Sequence, residues 1–150
     1  MKFQIVMLIA GVMLATDIAY AAGSSSTTTT TSVSSDLPKA KNLVERKNYT
    51  AAIPLLRKVV KSQPKNADAW NLLAFSNRKL QKFDLALNQY KKALKIQPTH
   101  KGANEYLGEL YLSIGDLPKA KDRLEVLNRM CIGGFVGCEE YNELKEKVTV

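Results

Sequence analysis

From Asp36 onward, apolar residues recur every three or four positions, which is the spacing of one face of an α-helix. Within residues 67–98, one such face runs from Trp70 to Leu80, and a second runs from Ala86 to Leu94. Between them the pattern breaks at Phe83 and Asp84, and Asp84 is a good candidate to cap the second helix. Pro98 ends that helix. The pattern predicts two helices joined by a tight turn.

The same pattern recurs at a step of 34 residues, so the chain is expected to contain repeated helix pairs. Small residues recur at fixed places, and these are expected where two helices cross closely, because a larger side chain would push the helices apart. The aligned sets are Ala52, Ala86 and Ala120; Leu56, Tyr90 and Leu124; Val59, Ala93 and Leu127; Tyr49, Phe83 and Leu117; Leu43, Asn77 and Tyr111; and Ala40, Ala74 and Gly108.

These positions resemble the tetratricopeptide repeat, whose first helix carries Trp, Leu-Gly and Tyr and whose second carries Ala, Phe, Ala and Pro. The resemblance covers residues 36–134 and implies an all-α fold, an α-α superhelix (solenoid) of three helix pairs. The pairs are expected at 36–66, 67–100 and 101–134, followed by a capping helix within 135–150. Asn77 stands where the pattern has Tyr, and Asn104 stands where it has Trp.

The first 35 residues differ in character from the rest. Residues 1–22 have a lysine, an apolar run of about a dozen residues and small residues near Ala21, which is typical of a cleaved secretory signal peptide. Residues 23–35 are rich in Ser and Thr, so they are expected to form a disordered leader. These segments predict export to the periplasm or secretion from a bacterium.

The two cysteines, Cys131 and Cys138, flank a glycine-rich loop before the last predicted helix. In an exported protein such a pair is expected to form a structural disulfide, and a redox role is the alternative. The stretch is similar to the end of exported bacterial repeat proteins that carry a Cys…Gly-Cys-Glu-Glu-Tyr element.

No catalytic motif accompanies these repeats, so we expect no enzymatic activity and no cofactor. With two cysteines and one histidine, the chain cannot supply four Cys/His ligands to zinc. His100 falls in a turn beside Lys101 and is expected to be a solvated polar group. Glu105 and Glu109 are four residues apart and are expected to form part of a polar surface.

The resemblance implies that the first helices of successive pairs line a concave groove that binds a protein or peptide. Phe75 and Tyr106 lie outside the core columns and are expected to be exposed partner anchors; contact with the leader or a neighbouring helix is the alternative. A carboxylate clamp known in this family is absent, since Leu37, Leu72 and Gly102 occupy three of its positions. The predicted partner-binding residues are Lys41, Asn71, Phe75, Arg78, Glu105, Tyr106 and Glu109.

The distribution of charge along the chain favours some classes of partner over others. The chain carries a formal net charge of +8, and residues 36–66 hold most of the excess. A basic front suits an anionic partner or head-to-tail association of copies, whereas nucleic acid is not expected outside the cytoplasm. The leading hypothesis is a periplasmic interaction scaffold. The alternatives are a self-associating assembly factor of the envelope and a thiol-redox helper.

Overall fold

A computed structural model describes residues 28–132 and 138–149, and in these residues the chain forms seven helices and no strand. The prediction of an all-α fold with a C-terminal helix is confirmed. The predicted signal peptide, the start of the leader and the glycines between the cysteines lie outside the described residues. The helices are α1 (Thr28–Glu45), α2 (Tyr49–Ser62), α3 (Ala67–Lys79), α4 (Phe83–Ile96), α5 (Lys101–Ser113), α6 (Leu117–Ile132) and α7 (Glu139–Thr149).

The first helix begins earlier than the sequence pattern indicated. We expected residues 23–35 to be disordered and helix to start near Asp36, but α1 already starts at Thr28. The backbone hydrogen bonds of a helix need no particular side chain, so a Ser/Thr-rich segment can extend a helix that is anchored further along. The apolar pattern marks the packed part of a helix, not its full length.

Each helix pair turns in the same way. Lys47, Gln81 and Gly115, spaced at the repeat step, have positive φ angles of 60°, 59° and 79°. After each of them, the next backbone N–H donates to a carbonyl in the preceding helix at 2.8–2.9 Å, as in a Schellman motif. Glycine suits this left-handed conformation, whereas a lysine or glutamine is strained in it. The same turn conformation is therefore kept at Lys47 and Gln81, although neither is the glycine that this conformation favours.

Side-chain caps also recur at the repeat step. Asn66 Oδ1 accepts from the Ala69 N–H at 2.9 Å, and His100 Nδ1 accepts from the Ala103 N–H at 3.1 Å. The expectation that His100 is a solvated turn residue is wrong, because its ring caps α5. The expectation that Asp84 caps α4 is also wrong, since α4 begins at Phe83 and its N-cap is Lys82, which makes no side-chain cap hydrogen bond.

The crossing positions behave as predicted. Every alanine in the small-residue columns is fully buried: Ala40, Ala52, Ala74, Ala86 and Ala120. Trp70 Nε1 donates to the Pro64 carbonyl at 2.9 Å. In the next repeat Asn104 Nδ2 donates to the Pro98 carbonyl at 3.0 Å. An asparagine thus keeps the repeat's hydrogen bond without the indole.

The last helix closes the solenoid by packing on both α5 and α6. Leu144 of α7 is fully buried, and a Cβ placed on Gly108 of α5 would lie 2.5 Å from its Cδ2 atom. Cys131 at the end of α6 is paired with Cys138 just before α7, with their Cα atoms 5.7 Å apart. Among the described helices, none is long and apolar enough to cross a membrane.

Candidate functional site: a concave groove on the first helices

The first helices of the pairs lie side by side, with α3 in contact with both α1 and α5. Two cavities open on this face. The first, of about 400 Å³, is lined by Lys41, Val44, Glu45, Lys47, Tyr49, Leu72, Phe75, Lys79 and Tyr106. The second, of about 430 Å³, is lined by Leu37, Pro38, Lys41, Asp68, Asn71 and Leu72. The two cavities adjoin each other at Lys41 and Leu72, which line both, and we call their lining residues together the groove.

Three aromatic rings form a row across α2, α3 and α5. The Phe75 ring lies 5.9 Å from the Tyr49 ring in an edge-to-face arrangement and 4.7 Å from the Tyr106 ring. Phe75 and Tyr106 are half-buried rather than fully exposed, because each packs on the other and on the core clusters beneath. The predicted exposure of these two rings is therefore corrected: contact with a neighbouring helix accounts for part of each, and the rest of their surface faces the groove.

Beyond Tyr106, the groove ends at an ionic cluster that joins three helices. Arg78 of α3 forms an ion pair with Glu109 of α5, with Nη2 lying 2.5 Å from Oε2, and Lys147 of α7 pairs with the same carboxylate. The side chains of Arg78 and Glu109 are only 9% and 12% exposed. Charges this deeply placed must be paired to offset their lost hydration, so both side chains are committed to the fold.

Glu105 is the largest departure from the expected polar surface. The residue is 3% exposed, because α7 lies over this face of α5, and its Oε1 atom has no hydrogen-bond partner. Burial and the neighbouring carboxyl of Glu143 raise the pKa of Glu105 to about 8. At neutral pH the side chain is therefore mainly protonated and can donate to Glu143. The expectation that Glu105 belongs to a polar surface is wrong.

Two tyrosines near the cluster are perturbed by the same environment. Burial raises the pKa of Tyr106 to about 12, with the Glu105 carboxyl adding to the effect. Burial also raises the pKa of Tyr90 far above its usual range, although the nearby Arg78 guanidinium opposes the shift. Both phenols stay neutral at physiological pH, so neither can act as a base there.

Oxygen atoms of Glu105, Glu109 and Glu143 lie within 4.8 Å of one another, a spacing that a divalent cation could bridge. Arg78 and Lys147 already bring two positive charges to this cluster. A divalent ion would meet their repulsion and would also have to displace a proton from Glu105. The cluster is better suited to holding a proton than a metal.

The predicted partner-binding residues therefore divide into two sets. Lys41, Asn71, Phe75 and Tyr106 line the groove, whereas Arg78, Glu105 and Glu109 belong to the ionic cluster. A partner-binding role stays a prediction for the first set.

Sequence reasoning did not include Lys47 and Tyr49 in the groove. The repeat pattern assigns Tyr49 to a core column, yet its side chain lines the first cavity. No sequence pattern marks Lys47 as a groove residue, because Gln81 and Gly115 occupy the same place in the later repeats and line neither groove cavity. Glu143 and Lys147 approach from α7, and no local pattern links them to α5.

The comparisons with known proteins agree with this architecture. Family models of the tetratricopeptide repeat match residues 67–100 and residues 37–78. The chain contains tetratricopeptide repeats. Its described part folds as an all-α solenoid of them. It is similar to tetratricopeptide repeat protein 37 of Xenopus laevis, with 28% identity over 103 residues, and this match covers 65% of the chain but only 7% of that protein.

Solved structures share the fold. The TPR2B domain of yeast Sti1, determined in complex with pHsp70, superposes with a TM-score of 0.70 at 16% identity, covering 79% of this chain and 97% of that domain. A double mutant of MamA from RS-1 superposes with a TM-score of 0.65 at 20% identity, covering 70% of this chain and 59% of that protein. At these identities the likeness establishes the fold alone.

Proposed function

We propose that this chain is a non-enzymatic scaffold that binds a protein or peptide segment in the groove. The observation that carries the proposal is a pair of adjoining cavities, of which the first is lined by half-buried aromatic rings and by exposed lysines. Aromatic surface that is partly left uncovered by the fold is typical of binding interfaces. Support also comes from Sti1, whose TPR2B domain is found in complex with pHsp70.

Site-specific photocrosslinking tests the proposal. A photoreactive residue would replace Lys79, an exposed groove residue, and in a matched protein would replace Lys58, an exposed residue of α2 outside the groove. In cells that express the protein, we expect discrete crosslinked species from position 79 and none from position 58. Equal crosslinking from both positions, or none from either, would contradict a groove-binding function.

A self-associating assembly factor is the second candidate. It is favoured by exposed large apolar side chains at Leu85 (45%), Ile114 (47%) and Leu117 (41%), since uncovered apolar surface promotes association. Sedimentation of the purified protein across salt concentrations tests it. A single monomeric species at concentrations up to the millimolar range would rule it out.

The compartment is part of the proposal. The apolar N-terminal segment with small residues near Ala21, and the pairing of Cys131 with Cys138, support export to the periplasm. The intact mass of protein recovered from a bacterial envelope should correspond to a chain that starts at or near Ala22 or Gly23. Recovery of the uncut chain, with both thiols free, would argue against export.

A further inference from the structure

We infer that the outward faces of α2 and α4 form a basic surface that binds an anionic phospholipid bilayer. The inference concerns the side of the chain opposite the groove and does not depend on the proposed function. It is carried by basic residues at equivalent places in two repeats, by the lack of carboxylate partners for them among the described residues, and by exposed apolar side chains beside them.

The two helices pack on the side of α3 that faces away from the groove. Leu73 of α3 belongs to the same core cluster as Leu56 of α2, and Ala74 belongs to the same cluster as Tyr90 of α4. The groove is lined instead by residues of α3 such as Leu72. A flat partner can therefore contact α2 and α4 while the groove stays open.

Basic residues occupy the same three positions on both helices, one repeat step apart, and all of them are exposed. They are Arg57, Lys58 and Lys61 on α2, and Lys91, Lys92 and Lys95 on α4. The fold does not require this charge, because α6 has Glu125 and Val126 at the first two of these positions and is helical there as well. The recurrence in two repeats points to a role for the charge itself.

Nearby carboxylates do little to offset this charge. The sequence of α2 contains no acidic residue, and that of α4 contains only Asp84, in its first turn. Among the described residues, no ion pair joins a carboxylate to any of the six basic side chains. Lys92 contacts an aromatic ring instead, with its Nζ 4.5 Å from the centre of the Trp70 ring. The surface therefore keeps its positive charge, and each basic residue close to an anionic bilayer strengthens binding about fivefold.

Exposed apolar side chains on α4 distinguish a bilayer from other anionic partners. Leu85 and Ile96 are 45% and 37% exposed, and their spacing from Lys92 places all three on one face of the helix. A bilayer takes up apolar side chains between its headgroups while the lysines contact the phosphates. A nucleic acid would leave these side chains in water, and phosphate recognition of that kind favours the planar fork of arginine, which only Arg57 supplies on this surface.

Vesicle sedimentation tests the inference with the purified chain. The probes are vesicles of phosphatidylglycerol and phosphatidylcholine in equal parts, and vesicles of phosphatidylcholine alone. We expect binding to the anionic vesicles at 0.15 M salt that weakens at least about tenfold at 0.5 M, and little binding to the neutral ones. The apolar N-terminal segment, where it is retained, would bind both kinds of vesicle alike, so the difference between them reports the charge.

Three results would overturn the inference. The first is equal binding to anionic and neutral vesicles, and the second is no binding to either. The third is binding to duplex DNA of random sequence without binding to anionic vesicles.

Two double variants test where the bilayer makes contact. Lys58→Gln combined with Lys95→Gln removes one charge from each helix and should weaken binding to anionic vesicles roughly 10- to 30-fold. Lys39→Gln combined with Lys145→Gln removes the same charge from α1 and α7 and should weaken it less than about threefold. All four lysines are exposed, so both variants should keep the Tm of the parent. Equal losses would mean that only net charge matters and would overturn the assignment to α2 and α4.

A further pair of variants tests the apolar contribution. Leu85→Gln should weaken binding to anionic vesicles about two- to fivefold, and the loss should persist at 0.5 M salt because it is hydrophobic in origin. Ile114→Gln is the matched control, since Ile114 is 47% exposed but lies in the turn after α5. Its vesicle binding should equal that of the parent. If the two variants bind alike, α4 does not lie against the bilayer as inferred.

Discussion

Replacing Glu105 with glutamine should remove a pH dependence of stability that originates at the contact of α5 with α7. In the folded chain the pKa of Glu105 is about 8, whereas the ordinary value is 4.5. Between these values only the folded state holds the proton. The free energy of unfolding therefore falls as pH rises through this interval, and the loss is complete above pH 8.

The magnitude follows from the shift. Each pKa unit corresponds to about 1.4 kcal/mol, and pH 7 lies 2.5 units above the ordinary pKa of 4.5. The free energy of unfolding can therefore fall by at most about 3 kcal/mol between low pH and pH 7. Solvent reaches the pair from the side of Glu143, whose side chain is 49% exposed. Screening there reduces the expected effect to roughly 1–2 kcal/mol. Glutamine imitates the protonated acid, so the variant should match the parent near pH 5 and exceed it by this amount at pH 7–8.

Urea unfolding of both proteins at several pH values from 5 to 8 measures the difference, with the disulfide kept oxidised. Glu125→Gln provides a control, because Glu125 is 67% exposed and pairs loosely with Arg129 at 3.9 Å. That variant should differ from the parent by less than about 0.5 kcal/mol at every pH. Parallel curves for Glu105→Gln and the parent would mean that Glu105 is already ionised in the folded state and that the buried carboxyl pair is misassigned.

Other changes test the packing. Gly108→Ala should lower stability, since the steric conflict with Leu144 costs roughly 1–3 kcal/mol against a helix-propensity gain of about 1 kcal/mol. In a Leu144→Ala background the same change should become stabilising. If Gly108→Ala is still destabilising in that background, Leu144 of α7 does not pack against Gly108. Ala86→Leu should cost roughly 1–3 kcal/mol in urea melts, with Lys91→Gln as the exposed control, and equal effects would refute the repeat register. Replacing both Cys131 and Cys138 with serine should cost about 2–3 kcal/mol on the loop-entropy model, and a reductant should lower the Tm of the parent to that of the variant; no change in Tm on either treatment would argue against a disulfide in the purified protein.

The repeat register could be predicted because its signal is periodic and local. Ala52, Ala86 and Ala120 are each required by a close helix crossing, so the same constraint appears three times in the sequence and at a constant step. The hydrogen bond that Asn104 makes in place of Trp70 could not be predicted in this way. It depends on a carbonyl that two different side chains can reach, and residue type alone does not reveal such an equivalence.

The groove was harder to predict than the fold, and the reason is the last helix. Taken alone, the sequence of α5 predicts two negative charges on the concave face, at Glu105 and Glu109. Their actual state depends on α7, which supplies Glu143 and Lys147 from far along the chain. Long-range contacts of this kind leave no periodic signal in the sequence, so the sequence alone predicts that Glu105 and Glu109 face solvent.

That same contact changes the charge at one end of the groove. If Glu105 and Glu109 were solvated and ionised, they would place two negative charges at the end of the groove next to Tyr106. With α7 in place, one carboxyl holds a proton and the other is paired with Arg78 and Lys147, so little negative charge remains there. The local potential in the open part is then set by its own lining charges, which are Lys41, Lys47 and Lys79 against Glu45 and Asp68. The capping helix therefore does more than cover the end of the solenoid. By neutralising α5, it leaves the potential over α1 and α3 to the groove's own charged residues, and a variant that displaces α7 should make that potential more negative without altering any residue of the groove.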